Sequence, residues 1–255
     1  MEGAAPVTLS VADGVARITL DDPANRNAVT QRSSAAFLKA ARDAVTHPEV
    51  RVILLVGSGG YFSVGGDIEE FLASGEGMER HVATLTDHIH SGIRHLVQAP
   101  IPVVVGLNGI AAGGGVGMML SGDVIVATRS AKINSGYTRS GLTPDAGLTW
   151  FLPPLVGHAR AFEIVAFNEF LSAELALSLG IVSRVVDDAN FEAELETVVE
   201  RLMSMPGPVL GEAKRLLRQG ADAILERQLD TEARQIIKSV GRPDTLRALR
   251  VFAKR

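Results

Sequence analysis

Two glycine-rich segments each follow a short apolar run that is typical of a buried strand. They are YFSVGGDI at 61–68 and NGIAAGGGVG at 108–117. Turns of this kind place backbone N–H groups at the start of a helix, where they can bind an anion or a developing oxyanion. One such turn would indicate only tight packing. Two of them predict a pair of N–H donors that face one pocket.

Phosphate-binding loops are the obvious alternative for these glycines. A Walker A loop is excluded because no Gly-Lys-Ser/Thr sequence follows either segment. A dinucleotide-binding fingerprint is excluded because the glycines do not follow the first predicted strand with the required spacing.

Four side chains elsewhere could hold or move a proton. Asp145 could act as an acid/base or could be the N-cap of a helix from Gly147 to Leu152. Tyr137 could donate a hydrogen bond in a pocket or simply pack. His88 and His90 lie two residues apart on a predicted helix and face different directions, so they do not form a metal-binding pair. We therefore expect no metal site.

The composition indicates one large domain, or a core with a small appendage. The chain has 255 residues, of which 46% are hydrophobic and 21% charged, and its net charge is −4. It can therefore bury a core, and its mild acidity argues against binding to nucleic acid or to an anionic membrane. The absence of cysteine excludes disulfides, thiolate nucleophiles and cysteine-bound metals. With no signal-peptide pattern at the N-terminus, a cytoplasmic location is expected.

One segment is long enough to cross a membrane, since residues 99–122 include no charged side chain. Its many glycines and two prolines suit close backbone packing better than a membrane-spanning helix. We expect a buried strand, a glycine-rich turn and a buried helix here.

The hydrophobic pattern predicts an α/β core in which helices connect parallel strands. A hairpin is expected around Asp13-Gly14, and only helices are expected after residue 191, broken by a turn at 205–208. The predicted strands are Val7–Val11, Val15–Leu20, Val52–Val56, Val103–Leu107, Val124–Ala127 and 181–186. The predicted helices are 30–47 with Thr30 as N-cap, 67–73, 77–98, 158–168 and 172–180, and a loop is expected at 136–147.

Together these motifs resemble the enoyl-CoA hydratase/isomerase (crotonase) superfamily. The resemblance lies in FSVGGDI at 62–68, in the segment from Pro102 through NGIAAGGG, and in GLTPDAG at 141–147. Among its members, GLTPDAGLT followed by LPPLVG is most similar to the ring-epoxide isomerases of phenylacetyl-CoA breakdown and to Δ3,Δ2-enoyl-CoA isomerases. The resemblance runs from about residue 7 to residue 190, with a helical tail of the expected size.

The resemblance implies a spiral of ββα units and a C-terminal helical trimerisation region. It divides the chain into a core at 1–195, which holds the CoA/acyl pocket, and a helical region at 196–255 that forms a homotrimer or a dimer of trimers. The expected partner is an acyl-CoA thioester, so CoA enters as part of the substrate and no cofactor is expected. The thioester oxygen would be held by the N–H groups of Gly66 and Gly114. The implied CoA-binding residues are Arg26, Ala28, Val64, Gly65, Asp67 and Ile68.

Departures from the family pattern point to the reaction. Related hydratases use two glutamates, and this chain has Gly117 and Tyr137 at those positions. Syn addition of water needs that acid/base pair, so hydration by this route is not expected. Similar isomerases place one carboxylate where Asp145 stands. The resemblance therefore predicts an acyl-CoA isomerase in which Asp145 shuttles the proton.

Three other functions stay open on these residues. A hydratase with an atypical site could use Asp145 or a bound water. A hydrolase similar to 4-chlorobenzoyl-CoA dehalogenase would use Asp145 as nucleophile and His90 to activate water, although that family has Trp in place of Tyr137. A CoA-thioester binding protein without catalysis is the alternative of another class.

Overall fold

Pairs of consecutive strands, each followed by a helix, build the first part of the chain. The computed structural model describes residues 5–218 and 222–253. The strands are β1 (Val7–Ala12), β2 (Val15–Leu20), β3 (Val52–Gly57), β4 (Tyr61–Ser63), β5 (Val103–Leu107), β6 (Ile110–Ala112), β7 (Val124–Thr128), β8 (Lys132–Asn134), β9 (Leu171–Ser172) and β10 (Arg184–Val186). The helices are α1 (Gln31–Thr46), α2 (Ile68–Ala73), α3 (Met78–Gln98), α4 (Gly114–Leu120), α5 (Leu148–Val156), α6 (His158–Phe167), α7 (Ala173–Ser178), α8 (Phe191–Met203), α9 (Gly207–Arg218), α10 (Asp222–Val240) and α11 (Pro243–Phe252).

The strands form two sheets, and successive units add one strand to each. The larger sheet has the order β1-β2-β3-β5-β7-β10 and the smaller one β4-β6-β8-β9. Only the pairs β1/β2 and β8/β9 are antiparallel among the described strands. In the units β3–β4, β5–β6 and β7–β8, the first strand lies in the larger sheet and the second in the smaller. The carboxyl ends of β4, β6 and β8 therefore lie side by side.

Helices cover both faces of the larger sheet, which explains why its central strands β3 and β5 contain no polar side chain. In β3, Ile53 and Leu55 belong to the main core, which also includes residues of α1 and α3. The alternate residues Val52 and Leu54 pack in a second cluster with Leu195 of α8. A strand buried on both sides must be apolar at every position, and this produces the continuous run seen in the sequence.

Several expectations from the sequence are confirmed. The hairpin turn at Asp13 and Gly14 has two positive φ angles, 50° and 79°, as a tight two-residue turn requires. Thr30 caps α1 in a capping box with Ser33. The uncharged segment 99–122 forms β5, β6 and α4. Among the helices that the structure describes, none combines the length and the apolar character needed to cross a membrane.

The sequence pattern did not predict the shortest strands, and it overestimated the length of two other elements. β4, β6, β8 and β9 have only two or three residues, so they contain no alternation that a periodicity analysis could detect. The strand expected at 181–186 is limited to its last three residues, and the helix expected at 172–180 is limited to Ala173–Ser178. Within the expected loop 136–147, Thr138–Ser140 form one turn of 3-10 helix. The helix expected from Gly147 to Leu152 continues to Val156.

The helices after residue 195 contact the strand-containing part of the chain at several places. α10 packs against α3 and α5, and α11 packs against α2 and the 3-10 turn at 138–140. The division of the chain after residue 195 stays a prediction.

Candidate active site

A cavity of about 550 Å³ opens beside the carboxyl ends of β4, β6 and β8. Each of the three loops that follow these strands contributes to its wall: Gly66 after β4, Gly114 after β6, and Tyr137 with Asp145 after β8. The remainder of the inner wall is mainly apolar and includes Phe71, Val82, Leu85, Ile89, Leu142 and Ile236.

The two glycine-rich turns are in direct contact because β4 and β6 are parallel neighbours. Gly65 has a φ of +81°, in the region that favours glycine. A Cβ atom on Gly65 would lie 2.7 Å from the carbonyl oxygen of Ala112 and 3.2 Å from the nitrogen of Gly114. Glycine at this position therefore permits both the turn and its contact with the second turn.

The N–H groups of Gly66 and Gly114 are both available to a ligand in the cavity. Val29 forms a parallel bridge with Gly66 by bonding to its two neighbours: its N–H donates to Gly65 O at 2.7 Å and its carbonyl accepts from Asp67 N at 3.1 Å. The N–H of Gly66 therefore points to the opposite side. Gly114 is the first residue of α4, where a backbone N–H has no acceptor within the helix. The structure thus brings together the two donors that the sequence predicted for one pocket.

Asp145 is a buried carboxylic acid on the cavity wall, 8% exposed. Burial raises its pKa to about 6, and the hydrogen bond that the Tyr137 hydroxyl donates to Oδ1 acts in the opposite direction. Burial and the adjacent carboxylate raise the pKa of Tyr137 well above its usual value, so the phenol stays a donor. Asp145 is not the N-cap of α5. That position is Gly147, without a side-chain cap.

His90 lies behind Asp145 and supports the same loop. Its Nε2 accepts a hydrogen bond from Ala146 N at 3.0 Å and lies 3.9 Å from Asp145 Oδ2. Burial, with a smaller effect of Arg94, lowers the pKa of His90 to about 4. The imidazole is therefore neutral, with the proton on Nδ1. The described residues that line the cavity do not include His90.

The loop that carries Asp145 fills the space beside Gly117. A Cβ atom on Gly117 would lie 2.0 Å from the carbonyl oxygen of Ala146, closer than any non-bonded contact permits. Ala146 itself has a φ of 55°, an uncommon conformation for a residue other than glycine. The position that resembles a hydratase glutamate thus has no room for any side chain.

Five of the six predicted CoA-binding residues line the cavity. Its described lining includes Arg26, Ala28, Val64, Asp67 and Ile68 but not Gly65, which lies immediately behind the lining. The carboxylate of Asp67 is already engaged, since Oδ1 accepts from Glu70 N and Oδ2 from the Asn25 amide. Asp67 therefore caps α2 as well as lining the cavity.

The C-terminal helices also contribute to the cavity wall, which the sequence did not predict. Ile236 of α10 and Phe252 and Ala253 at the end of the chain line the cavity. Glu232 of α10 is buried beside the cavity, and its carboxylate accepts from the N–H groups of Gly147 and Thr149 at 2.7 and 3.0 Å. Long-range contacts of this kind carry no local pattern, so no signal in the sequence could have identified them.

Within residues 5–218 and 222–253, no three His, Asp or Glu side chains are grouped as a metal site would require. The chemistry of the cavity is described by the two N–H donors, the Asp145 carboxylate and the Tyr137 phenol. This set can polarise a carbonyl oxygen and exchange a proton with the carbon next to it.

The chain is similar in sequence and in structure to proteins named for reactions of acyl-CoA thioesters. The chain is 30% identical to 4-chlorobenzoyl coenzyme A dehalogenase-2 from an Arthrobacter species, over 96% of this chain and 90% of that protein. It is 31% identical to 1,2-epoxyphenylacetyl-CoA isomerase from Escherichia coli strain K12, over 87% of this chain and 85% of that protein. An enoyl-CoA hydratase structure from Mycobacterium avium subsp. paratuberculosis K-10 superposes with a TM-score of 0.88 at 29% identity, covering 99% of this chain and 97% of the other.

The structural similarity confirms the crotonase-like fold expected from the motifs. The three relatives carry the names of three different reactions, so similarity alone does not choose between them. The family model for enoyl-CoA hydratase/isomerase matches residues 10–254. The chain therefore belongs to the enoyl-CoA hydratase/isomerase family.

Proposed function

We propose that the protein is an acyl-CoA isomerase that moves a proton within an enolate or allylic system. The observation that carries this proposal is Asp145, the one buried carboxylate among the described residues that line the cavity, which shares that lining with Gly66 and Gly114. Proton removal and return at different carbons need one such group, and its pKa of about 6 suits both steps near neutral pH.

In the proposed reaction the thioester oxygen accepts hydrogen bonds from Gly66 and Gly114. Asp145 removes a proton from the carbon next to the thioester carbonyl, and the electron pair moves into the enolate, whose oxygen the two donors stabilise. The same carboxyl group then returns the proton to another carbon of the conjugated system, and the double bond shifts. Loss of one oxyanion donor typically costs about 3 kcal/mol in the barrier, which shows how much the pair can contribute.

The hydrogen bond from Tyr137 indicates which oxygen of Asp145 transfers the proton. Oδ1 accepts from the phenol and Oδ2 lies 3.9 Å from His90 Nε2, so we assign the proton transfer to Oδ2, the oxygen without a hydrogen-bond donor of its own. Tyr137 and Gly117 together argue against hydration through a second carboxylate, because one is a protonated phenol and the other has no room for a side chain.

A proton-exchange assay tests the proposal directly. Wild-type protein and Asp145→Asn are incubated with trans-3-hexenoyl-CoA in deuterated water, and the products are followed by proton NMR and mass spectrometry. We expect 2-enoyl-CoA from the wild type only, with deuterium incorporated in the fraction of turnovers in which the Asp145 carboxyl group exchanges its proton with solvent before returning it, while the variant still binds the thioester. Absence of turnover in the wild type, with binding intact, would rule out the allylic reaction. Phenylacetyl-CoA ring epoxides would then be the next substrates.

A dehalogenase-like hydrolysis is the second candidate, favoured by the similarity to 4-chlorobenzoyl coenzyme A dehalogenase-2 and by the short separation of His90 and Asp145. In such a reaction Asp145 would attack the ring carbon, displace chloride and form an aryl ester, which water activated by His90 would release. The lone pair of His90 Nε2 is engaged by Ala146 N, which argues against activation of water. Chloride release from 4-chlorobenzoyl-CoA measures this alternative.

A further inference from the structure

The backbone that carries Asp145 has little intrinsic rigidity. Ala146 and Gly147 have consecutive positive φ angles, 55° and 77°, and α5 begins after them without a cap from its own segment. Within the segment, Leu148 N donates to Asp145 O at 3.1 Å. A loop of this kind needs external partners to hold one conformation.

The external partners are two buried ionisable side chains from different helices. From α3, His90 Nε2 accepts from Ala146 N. From α10, Glu232 Oε2 accepts from Gly147 N, and Glu232 Oε1 accepts from both the N–H and the hydroxyl of Thr149. Both carboxylate oxygens thus accept from N–H groups at the start of α5. These hydrogen bonds lower the pKa of Glu232, but burial has the larger effect and raises it to about 7. Gln228 adds a bond to the Thr149 hydroxyl at 2.5 Å.

We propose that Glu232 is a positioning residue for Asp145: it fixes, from the C-terminal helix α10, the loop that aims the Asp145 carboxylate at the substrate carbon. This inference rests on the proposed function, since it assigns to Asp145 the proton transfer described above. Glu232 is 3% exposed and is absent from the described lining of the cavity, so it acts through the loop and does not touch the substrate.

Two substitutions separate the effects of the two carboxylate oxygens. Glu232→Gln has the same shape but must turn an NH₂ group toward one of the backbone N–H groups, so it loses the hydrogen bond from either Gly147 N or Thr149 N. Glu232→Ala removes all of these hydrogen bonds. Glu226→Gln is the matched control, because Glu226 lies on the same helix, is exposed and pairs only weakly with Arg94 at 3.5 Å.

We expect kcat to fall about a hundredfold in Glu232→Ala and about tenfold in Glu232→Gln, because small displacements of a reacting group have effects of this size. The Kd for a non-reacting acyl-CoA should change less than about threefold, since the substitutions leave the Gly66 and Gly114 donors and the predicted CoA-binding residues in place. Hydrogen exchange of the amides of residues 146–149 should be faster in both variants and unchanged in Glu226→Gln.

The outcomes distinguish this inference from the proposed function. Unchanged kcat and unchanged exchange at 146–149 in Glu232→Gln would overturn the positioning role even if the isomerase is active. Equal losses of kcat and of thioester affinity would also overturn it, since they indicate general structural damage. If the wild type turns over no thioester, the proposed reaction fails. Faster hydrogen exchange confined to residues 146–149 in the Glu232 variants would still show that Glu232 holds this loop.

Discussion

The Tyr137 hydroxyl donates a hydrogen bond to Oδ1 of Asp145, and both groups are buried in the wall of the same cavity. This bond stabilises the ionised carboxylate against the cost of burial, so the pKa of Asp145 is set by two opposing effects of which burial is the larger. The phenol also fixes the orientation of the carboxyl plane.

The activity should therefore follow the ionisation of Asp145. We expect kcat/KM, which reports ionisation of the free enzyme, to fall as the pH is lowered through about 6, because the base must be ionised to accept a proton. In Tyr137→Phe the stabilising bond is lost, so the acidic limb should move to higher pH. Rates measured with one thioester over a range of about pH 4.5 to 8.5 test this. A limb that moves to lower pH in the variant would contradict the role assigned to the phenol.

Asp145→Asn should stabilise the fold at alkaline pH. The pKa of Asp145 is raised in the folded state from an ordinary 3.8 to about 6, so its stabilising effect as the neutral acid is present at low pH and is lost as the pH rises through about 6. Ionisation in the folded state then costs about 3 kcal/mol, which an asparagine does not incur. Urea unfolding of both proteins at about pH 4 and about pH 8 should show a difference that grows with pH. A constant difference would contradict the raised pKa.

Gly117→Ala should damage both stability and activity. The added Cβ atom would meet the carbonyl oxygen of Ala146 at 2.0 Å, so the Asp145 loop must move. We expect a loss of about 2 kcal/mol in unfolding free energy, typical of overpacking, with a decrease in kcat. Gly77→Ala is the control, since a Cβ atom there has no neighbour within 4 Å. Equal unfolding midpoints for the two variants would show that the loop has room beside Gly117.

His90 should stay neutral throughout the working range of pH. Its pKa is lowered to about 4 by burial, and Nε2 accepts from Ala146 N, so the proton lies on Nδ1. Long-range ¹H–¹⁵N correlation spectra at about pH 6 should show an unprotonated Nε2 for this residue. A doubly protonated ring at that pH would contradict the geometry and would favour a direct catalytic role.

The sequence predicted the parts of the site that have local signatures. The two glycine-rich turns, the Thr30 cap and the buried parallel strands follow from residue type and spacing, and Asp145 followed from a family motif. Glu232 could not be predicted, because it reaches Gly147 across 85 positions of the chain. The same applies to His90 and Ala146, which lie 56 positions apart. The N-cap role considered for Asp145 failed because the carboxyl group turns to Tyr137, a partner visible only in three dimensions.

The side-by-side ends of β4, β6 and β8 separate recognition from reaction. In the proposed reaction the first two loops hold the thioester oxygen with main-chain groups, and these should stay in place when side chains of the third loop are replaced. The third loop would supply Asp145, the group proposed to act on the neighbouring carbon. New activities can therefore be sought by redesigning residues 137–146 while Gly66 and Gly114 are kept. Each redesigned protein should still bind the thioester.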